Sequence, residues 1–317
     1  MMIVAFVAAV FACRHALQTW RNARSRGIGH SDVAIEIDSG GNTLVFNANG
    51  TGGSDLYLMD LKTSEVTRVT DTAAYEHDAS FSPNGGTIVF SAGVPGDPAD
   101  HIFTCALDGS NRKQLTSEDA DDSTPRFSPD GALIVFARGR EYLWGGLGGN
   151  GWRDHAIYLM GRDGQDVRQV SPNGTSVHGP RFSSNGEKLI CWHNGVTTMP
   201  VDGSEQMSQL INRRRAIPSP DNSLFAYSKG QFSPDHEIYV CQADGTGERQ
   251  ITQTSNMGCK HPVFTPDGSR LMFLREEWPN GPMGVPKFSL WEIDVSGENL
   301  RMIADHSLFD DPLAWNP

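Results

Sequence analysis

One short pattern recurs along this chain and constrains its fold more than any other feature. It is an apolar residue followed by a Ser-Pro-Asp-Gly type of turn and a run of apolar and β-branched residues, which is typical of two antiparallel strands joined by a tight turn. Six copies can be aligned, at residues 37–46, 81–90, 127–136, 182–191, 218–227 and 264–273. A repeat of about 40–45 residues that is built from short strands indicates the blades of a β-propeller.

A second landmark follows each hairpin and supports the same register. It is a strand that ends in an aspartate turn, at Asp60, Asp108, Asp163, Asp202, Asp244 and Asp294. Each of these turns is followed by another short strand, so that every unit holds four strands from an inner to an outer position. We expect the six aspartates to form turns, because their side chains accept hydrogen bonds from backbone N–H groups two residues further on.

The repeats predict an all-β fold, a six-bladed β-propeller of four-stranded antiparallel blades over residues 31–317. The last residues, 312–317, match the start of a hairpin, and we expect them to close the ring as the inner strand of blade 1. Residues 33–37 also have the pattern of an inner strand for that blade and compete for the position. Pro218 replaces the Phe of other copies, which predicts a distorted inner strand in blade 5.

The length of the repeat varies mainly between its second and third strands. Insertions lie there at residues 93–100, 139–153 and 275–287, and such loops project from one face of a propeller. Tryptophans occur in two of them, and Trp is frequent both in packed loops and at interfaces. Both alternatives stay open, and as candidate contacts for a protein partner we select Trp144, Trp152 and Trp278.

Polar side chains precede the inner strands, where they face the central channel of a propeller. The candidate binding residues in this group are Glu76, His77, Asp122, His178, His261 and Asp311. His77, His178 and His261 could also hold zinc or manganese, since imidazole is a common ligand of both metals. The competing interpretation is that such residues cap turns and solvate the channel.

Composition limits the classes of function. The net charge of −12 argues against a nucleic-acid partner, because phosphate contacts need basic surfaces. The chain has five cysteines, an odd number, and no C-x-x-C motif. This pattern predicts neither a zinc site nor a disulfide framework. No phosphate-binding glycine loop and no nucleophile–base motif is present. We therefore expect no cofactor, and a binding function is favoured over an enzymatic one.

The first thirty residues are expected to lie outside the propeller. Residues 1–12 form an apolar run that is shorter than the roughly 20 residues of a membrane span, and four arginines follow Cys13. The run is similar to the apolar part of a signal peptide. An export signal, a short uncleaved anchor and a cytosolic helix are the alternatives. We predict a periplasmic or exported protein whose membrane association involves only residues 1–13, with a cytoplasmic location as the alternative.

The F-S-P-D-G hairpin and the strand that ends in an Asp turn, clearest at 127–136 and 238–245, resemble the PD40 (WD40-like) repeats of the TolB propeller family. TolB proteins also end shortly after a W-S-P, to which residues 315–317 are similar. The resemblance implies a six-bladed propeller and a protein-binding role in the bacterial cell envelope. It also implies an alternative, since pectate-degrading lyases have a similar propeller with a metal site. TolB itself carries an α/β domain before its propeller, and thirty residues are too few to form one.

Overall fold

The computed structural model describes residues 34–49, 53–97, 99–139, 155–204, 207–213, 215–230, 235–254, 258–279, 286–310 and 312–313. Within these ranges, 24 strands form six sheets of four antiparallel strands each, and one helical turn follows the last strand. In every sheet the strands are hydrogen-bonded in chain order. The prediction of a six-bladed propeller of four-stranded blades is therefore confirmed.

The first three blades occupy residues 35–169. Blade 1 contains β1 (Ile35–Ile37), β2 (Thr43–Asn49), β3 (Ser54–Asp60) and β4 (Val66–Arg68). Blade 2 contains β5 (Glu76–Phe81), β6 (Thr87–Gly93), β7 (Asp100–Ala106) and β8 (Lys113–Gln114). Blade 3 contains β9 (Asp121–Phe127), β10 (Leu133–Gly139), β11 (His155–Gly161) and β12 (Arg168–Gln169).

The other three blades occupy residues 178–304. Blade 4 contains β13 (His178–Phe182), β14 (Lys188–Trp192), β15 (Val196–Pro200) and β16 (Ser208–Ile211). Blade 5 contains β17 (Ile217–Pro218), β18 (Leu224–Lys229), β19 (Glu237–Gln242) and β20 (Arg249–Gln250). Blade 6 contains β21 (Gly258–Phe264), β22 (Arg270–Glu277), β23 (Lys287–Asp294) and β24 (Arg301–Ala304). The helical turn is α1 (Ser307–Asp310).

The recurring hairpin is stabilised by its own side chains. In blade 3, the hydroxyl of Ser128 donates to Asp130 Oδ1 at 2.6 Å, and the same carboxylate oxygen accepts from the backbone N–H of Ala132 at 3.0 Å. Gly131 has a φ of 70°, a left-handed conformation that glycine adopts without steric cost. The second aspartate turn has the predicted form in five blades, where Asp60, Asp108, Asp163, Asp202 and Asp244 each accept from the N–H two residues on.

The ring closes differently from our expectation. The inner position of blade 1 is occupied by β1, which pairs antiparallel with β2. The prediction that residues 312–317 form the inner strand of blade 1 is therefore wrong. Residues 311 and 314–317 lie outside the described ranges. Because β1 runs directly into the first hairpin, its pairing needs no long loop closure. Instead, α1 buries Leu308 and Phe309 in an apolar cluster that joins blades 1, 5 and 6.

The inner strand of blade 5, for which Pro218 predicted a distortion, is short. Only Ile217 and Pro218 form β17, whereas the inner strands of blades 2, 3 and 6 contain six or seven residues. Proline has no N–H to donate to a ladder, which limits the pairing of this strand.

The core lies between neighbouring blades. The fourth residue of the second strand is fully buried in every blade, and these residues are Phe46, Phe90, Phe136, Cys191, Tyr227 and Phe273. The described cysteines are buried and free, and they pack as small apolar residues. Burial raises the pKa of the Cys191 thiol to about 12, so this thiol stays protonated.

Candidate functional site

Two sets of loops meet at one face of the propeller. The segments that lead into the inner strands contact the loops between second and third strands, as shown by hydrogen bonds from Gly93 N to Tyr75 O (3.3 Å) and from Val177 N to His155 O (2.8 Å). We call this side the mouth face. Two of its candidate residues, Trp144 and Trp152, lie outside the described ranges. Trp278 follows β22 directly and is half-buried.

The inner strands carry one irregularity that sequence reasoning missed. The residue four positions before the hairpin Ser or Thr has a left-handed backbone in blades 2 to 6, with φ between 51° and 55°, at Asp78, Thr124, Gly179, Arg215 and His261. In four of these blades the ladder register shifts at the same place, which is a β-bulge. Bulges re-aim side chains and are frequent near functional sites. Gly179 was the clearest sequence signal for this conformation, since glycine adopts it without steric cost whereas Thr and Arg rarely do.

His77 is fixed between two carboxylates. Its Nδ1 lies 3.0 Å from Asp78 Oδ2, and its Nε2 lies 3.2 Å from Asp100 Oδ2. Burial by itself lowers the pKa of His77, but the two carboxylates more than offset this and raise it to about 10. The ring is therefore an imidazolium at neutral pH, and both of its N–H groups donate to carboxylates. In this state His77 has no lone pair for a metal.

His178 and His261 have the opposite character. The pKa of each is lowered to about 4, mainly by burial, and the positive charge of Arg215 contributes to both shifts. Both rings are therefore neutral at pH 7. The ring of His178 also packs against that of His155, with centroids 4.4 Å apart. The three predicted histidines thus divide into one cation in blade 2 and two neutral rings in blades 4 and 6.

The predicted acidic residues Glu76 and Asp122 are enclosed within the fold. Asp122 is fully buried and bonds Arg138 with both oxygens, Oδ1 to Nε at 2.7 Å and Oδ2 to Nη2 at 2.9 Å. Glu76 is also fully buried, pairs with Arg112 and accepts from the hydroxyl of Thr72. Both carboxylates are therefore buried in ion pairs with arginines. Asp311 lies outside the described residues.

Deeper in the channel, two arginines share one carboxylate. Glu36 Oε2 lies 3.7 Å from Arg126 Nη2 and 3.7 Å from Arg181 Nη1. These three residues occupy the same repeat position, two before the hairpin Ser or its equivalent, in blades 1, 3 and 4. Sequence reasoning missed these three residues. Two copies of the repeat nevertheless read P-R-F-S, which places an arginine two residues before the hairpin Ser, on a strand whose side chains alternate between two faces.

No three His, Cys, Asp or Glu side chains in the described part of the chain are grouped so that they could hold a metal ion. The described residues also include no helix that is long and apolar enough to cross a membrane.

Six four-stranded blades around a polar channel define a six-bladed β-propeller, and its repeats resemble those of the TolB propellers. The PD40 family, described as the TolB beta propeller domain, matches residues 17–144. The resemblance to the TolB-like propellers is thereby confirmed.

Curated relatives support the same resemblance over limited lengths. The Tol-Pal system protein TolB of Pelagibacter ubique is 35% identical over 75 residues, which are 24% of this chain and 16% of that protein. The TolB homolog of Chlorobium luteolum is 28% identical over 196 residues, which are 62% of this chain and 33% of that protein. The chain therefore matches a third or less of the length of these relatives.

Solved structures share the fold at low identity. TolB from Acinetobacter baumannii superimposes with a TM-score of 0.60 at 16% identity, covering 86% of this chain and 63% of that one. Oligogalacturonate lyase from Vibrio parahaemolyticus gives a TM-score of 0.57 at 14% identity, covering 87% and 80%. At this identity the likeness shows the fold alone, because one fold hosts many functions.

Proposed function

We propose that this chain is a non-enzymatic propeller scaffold that binds a protein partner through its mouth face, in the periplasm of the bacterial cell envelope. The observation that carries this proposal is the His77 clamp. It joins the inner strand β5 to the third strand β7 through Asp78 and Asp100. Preorganised polar groups on rigid strands lose little entropy when a partner binds.

The clamp also extends across a blade boundary. Asp78 Oδ2 accepts from the backbone N–H of Thr124 in blade 3 at 3.3 Å, and the N–H of Asp100 donates to Asp121 at 3.1 Å. Blades 2 and 3 therefore present a single fixed polar surface at the mouth. This arrangement supports recognition of a partner by complementary shape and charge.

The envelope location and the protein nature of the partner are inferred from the relatives. The relative from Pelagibacter ubique is named a Tol-Pal system protein, which supports an envelope role for a TolB-like propeller. The contacts that we propose are the loop tryptophans Trp144, Trp152 and Trp278 and the mouth residues His77, His178 and His261. Glu76 and Asp122 contribute by holding this surface in place, and Asp311 is retained as a candidate contact.

Cross-linking in bacterial cells tests the proposal. A photo-reactive side chain at Trp278 on the mouth face should cross-link to a defined envelope protein. The same side chain at Asn185, which is in the hairpin of blade 4 on the opposite face, is the control. The same products from both positions, or no product from Trp278, would contradict binding through the mouth face. Fractionation of the same cells tests the envelope location.

The second candidate is a metal-dependent carbohydrate-active enzyme of the lyase type, with a site in the channel. The observation in its favour is that His178 and His261 are neutral and therefore retain a lone pair for a metal. One structure with this fold, at 16% identity, is an oligogalacturonate lyase in complex with manganese. A rise in melting temperature with Mn²⁺ that is lost in His178→Gln would favour this candidate, whereas an unchanged melting temperature would argue against it.

A further inference from the structure

Arg215 is an exposed cation of the mouth that has no hydrogen-bond or ion-pair partner among the described residues. The neighbouring basic groups are different in this respect. Arg213 Nη2 lies 2.7 Å from Glu248 Oε2, and Lys260 Nζ lies 2.5 Å from Glu276 Oε2. On a chain with a net charge of −12, a cation without a counter-charge at the mouth of a channel indicates a site for an anion.

The backbone at Arg215 is held in a defined place. Its φ is 51°, which non-glycine residues seldom adopt, and the next residue, Ala216, is buried. The carbonyl of Ala216 accepts a hydrogen bond from Trp192 Nε1 at 3.2 Å, which ties this segment to blade 4. The left-handed position recurs in five blades and is therefore part of the propeller architecture. What is specific to blade 5 is that this position carries a guanidinium.

Two neutral imidazoles flank this guanidinium. His178 and His261 belong to the inner strands β13 and β21, on either side of β17, and the charge of Arg215 acts on both. The groups that face His178 are His155, His193 and Arg215. Those that face His261 are Arg215, Lys260, Asp78 and Glu276. One guanidinium and two imidazoles provide several N–H donors for a single negative charge.

We infer that the mouth binds one carboxylate of an acidic residue in the protein partner, with Arg215 as its main cation and His178 and His261 as flanking donors. This inference rests on the proposed function and specifies the chemistry of the partner. A guanidinium suits this ligand because its planar fork matches a carboxylate in geometry. Asp78 and Asp100 lie on the blade 2 side of the mouth and would repel a polyanion. The site therefore favours an isolated acidic residue with basic or neutral neighbours.

Binding should be coupled to uptake of protons. An anion beside His178 and His261 stabilises their charged forms, so that the complex holds more protons than the free protein. Affinity should consequently increase as the pH falls from 7 towards 5. Arg215 and Lys260 oppose protonation of these rings, whereas Asp78 and Glu276 favour protonation of His261.

The test uses the full chain and two blocked peptides, Ac-Gly-Lys-Glu-Lys-Gly-amide and its counterpart with Gln in place of Glu. Imidazole resonances in NMR spectra report binding at each histidine. We expect the resonances of His178 and His261 to shift with the Glu peptide only, and their pKa values to rise. Arg215→Gln should weaken binding by about tenfold or more, which is the usual effect of losing a charge-assisted hydrogen bond. Arg215→Lys should retain part of the affinity.

Arg249→Gln is the matched control, because Arg249 is an exposed arginine on the outer strand β20 of the same blade. This variant should bind as the wild type does. Equal binding of the Glu and Gln peptides, no response to either, or full affinity in Arg215→Gln would overturn the inference. Stronger binding of trigalacturonate than of the Glu peptide would also overturn it, in favour of a saccharide. Should cross-linking at the mouth face succeed while the peptide fails, only the carboxylate inference is wrong.

Discussion

The ring of Phe309 packs edge-on against the ring of Phe46, with centroids 5.6 Å apart and an interplanar angle of 76°. This contact joins the helical turn that follows blade 6 to the second strand of blade 1. Both side chains are at most 3% exposed. A propeller must connect its last blade to its first, and here apolar packing of α1 contributes to that connection.

Phe309→Ala should therefore destabilise the whole propeller. Truncation of a buried Phe costs about 3–5 kcal/mol, from lost burial and from the cavity that remains. The free energy of unfolding in urea measures this effect. Leu313→Ala is the control, since this side chain is 59% exposed and its loss should change stability by less than about 0.5 kcal/mol. Similar small losses in both variants would show that α1 does not stabilise the closure.

Gly179→Ala should destabilise blade 4. A Cβ at Gly179 would lie 2.3 Å from the Trp192 ring, and the φ of 53° disfavours any side chain. Gly85→Ala separates the two effects, because Gly85 has a φ of 69° and an added Cβ there would meet nothing within 4 Å. We expect a cost of about 1–2 kcal/mol for Gly85→Ala, from the left-handed backbone alone. Gly179→Ala should cost clearly more in thermal or urea unfolding, and equal costs would contradict the contact with Trp192.

The His77 clamp should make stability depend on pH in the alkaline range. The pKa of His77 is about 10 in the folded protein, above the value of about 6.5 expected in the unfolded chain. Its contribution is therefore fully present below pH 6.5 and is lost as the pH rises through about 10. Asp100→Asn should lower the pKa of His77 and move this loss to lower pH.

NMR titration of His77 and urea unfolding at several pH values measure these two effects. Asp119→Asn is the control, because Asp119 is an exposed aspartate on the same face. A His77 that titrates near the ordinary histidine value of about 6.5 in the wild type would disprove the clamp.

Asp122→Ala should cost about 3 kcal/mol, because Arg138 loses its buried two-oxygen partner and keeps only the largely exposed Glu118 as a counter-charge. Asp119→Ala, three residues earlier in the same acidic run, should have little effect on the free energy of unfolding. A variant in which Asp122→Ala is combined with Arg138→Met should regain part of the loss, since no buried charge remains and Glu118 is largely exposed to solvent. Full stability of the single variant would show that Asp122 is available for binding.

Much of the fold could be predicted because its determinants are local. Each hairpin is specified by residues within a few positions, as in the bonds from Ser128 to Asp130 and from Asp130 to Ala132. The repeat of these signals predicted six blades of four strands. The C-terminal closure was predicted wrongly because 33–37 and 312–317 have similar patterns. Only the pairing of β1 with β2 distinguishes them.

The candidate site was predicted in part. The sequence placed His77, His178 and His261 at the channel, but it could not show that their charges differ. Charge depends on neighbours from distant parts of the chain, such as Asp100 beside His77 and Arg215 beside His261. A short basic run such as 213–215 is usually a solvated loop, whereas the structure pairs Arg213 with Glu248 and leaves Arg215 at the mouth.

The repeat, the strand order within each blade and the turns follow from the order of residues, since they depend on local propensity and on alternation along the chain. Tertiary contacts were needed to establish which strand closes the ring, where the left-handed bulges lie and which polar side chains become buried pairs or exposed cations. These properties arise between residues that are far apart in the chain. No local pattern encodes the desolvation and the partner charges that set the pKa values of His77 and His178.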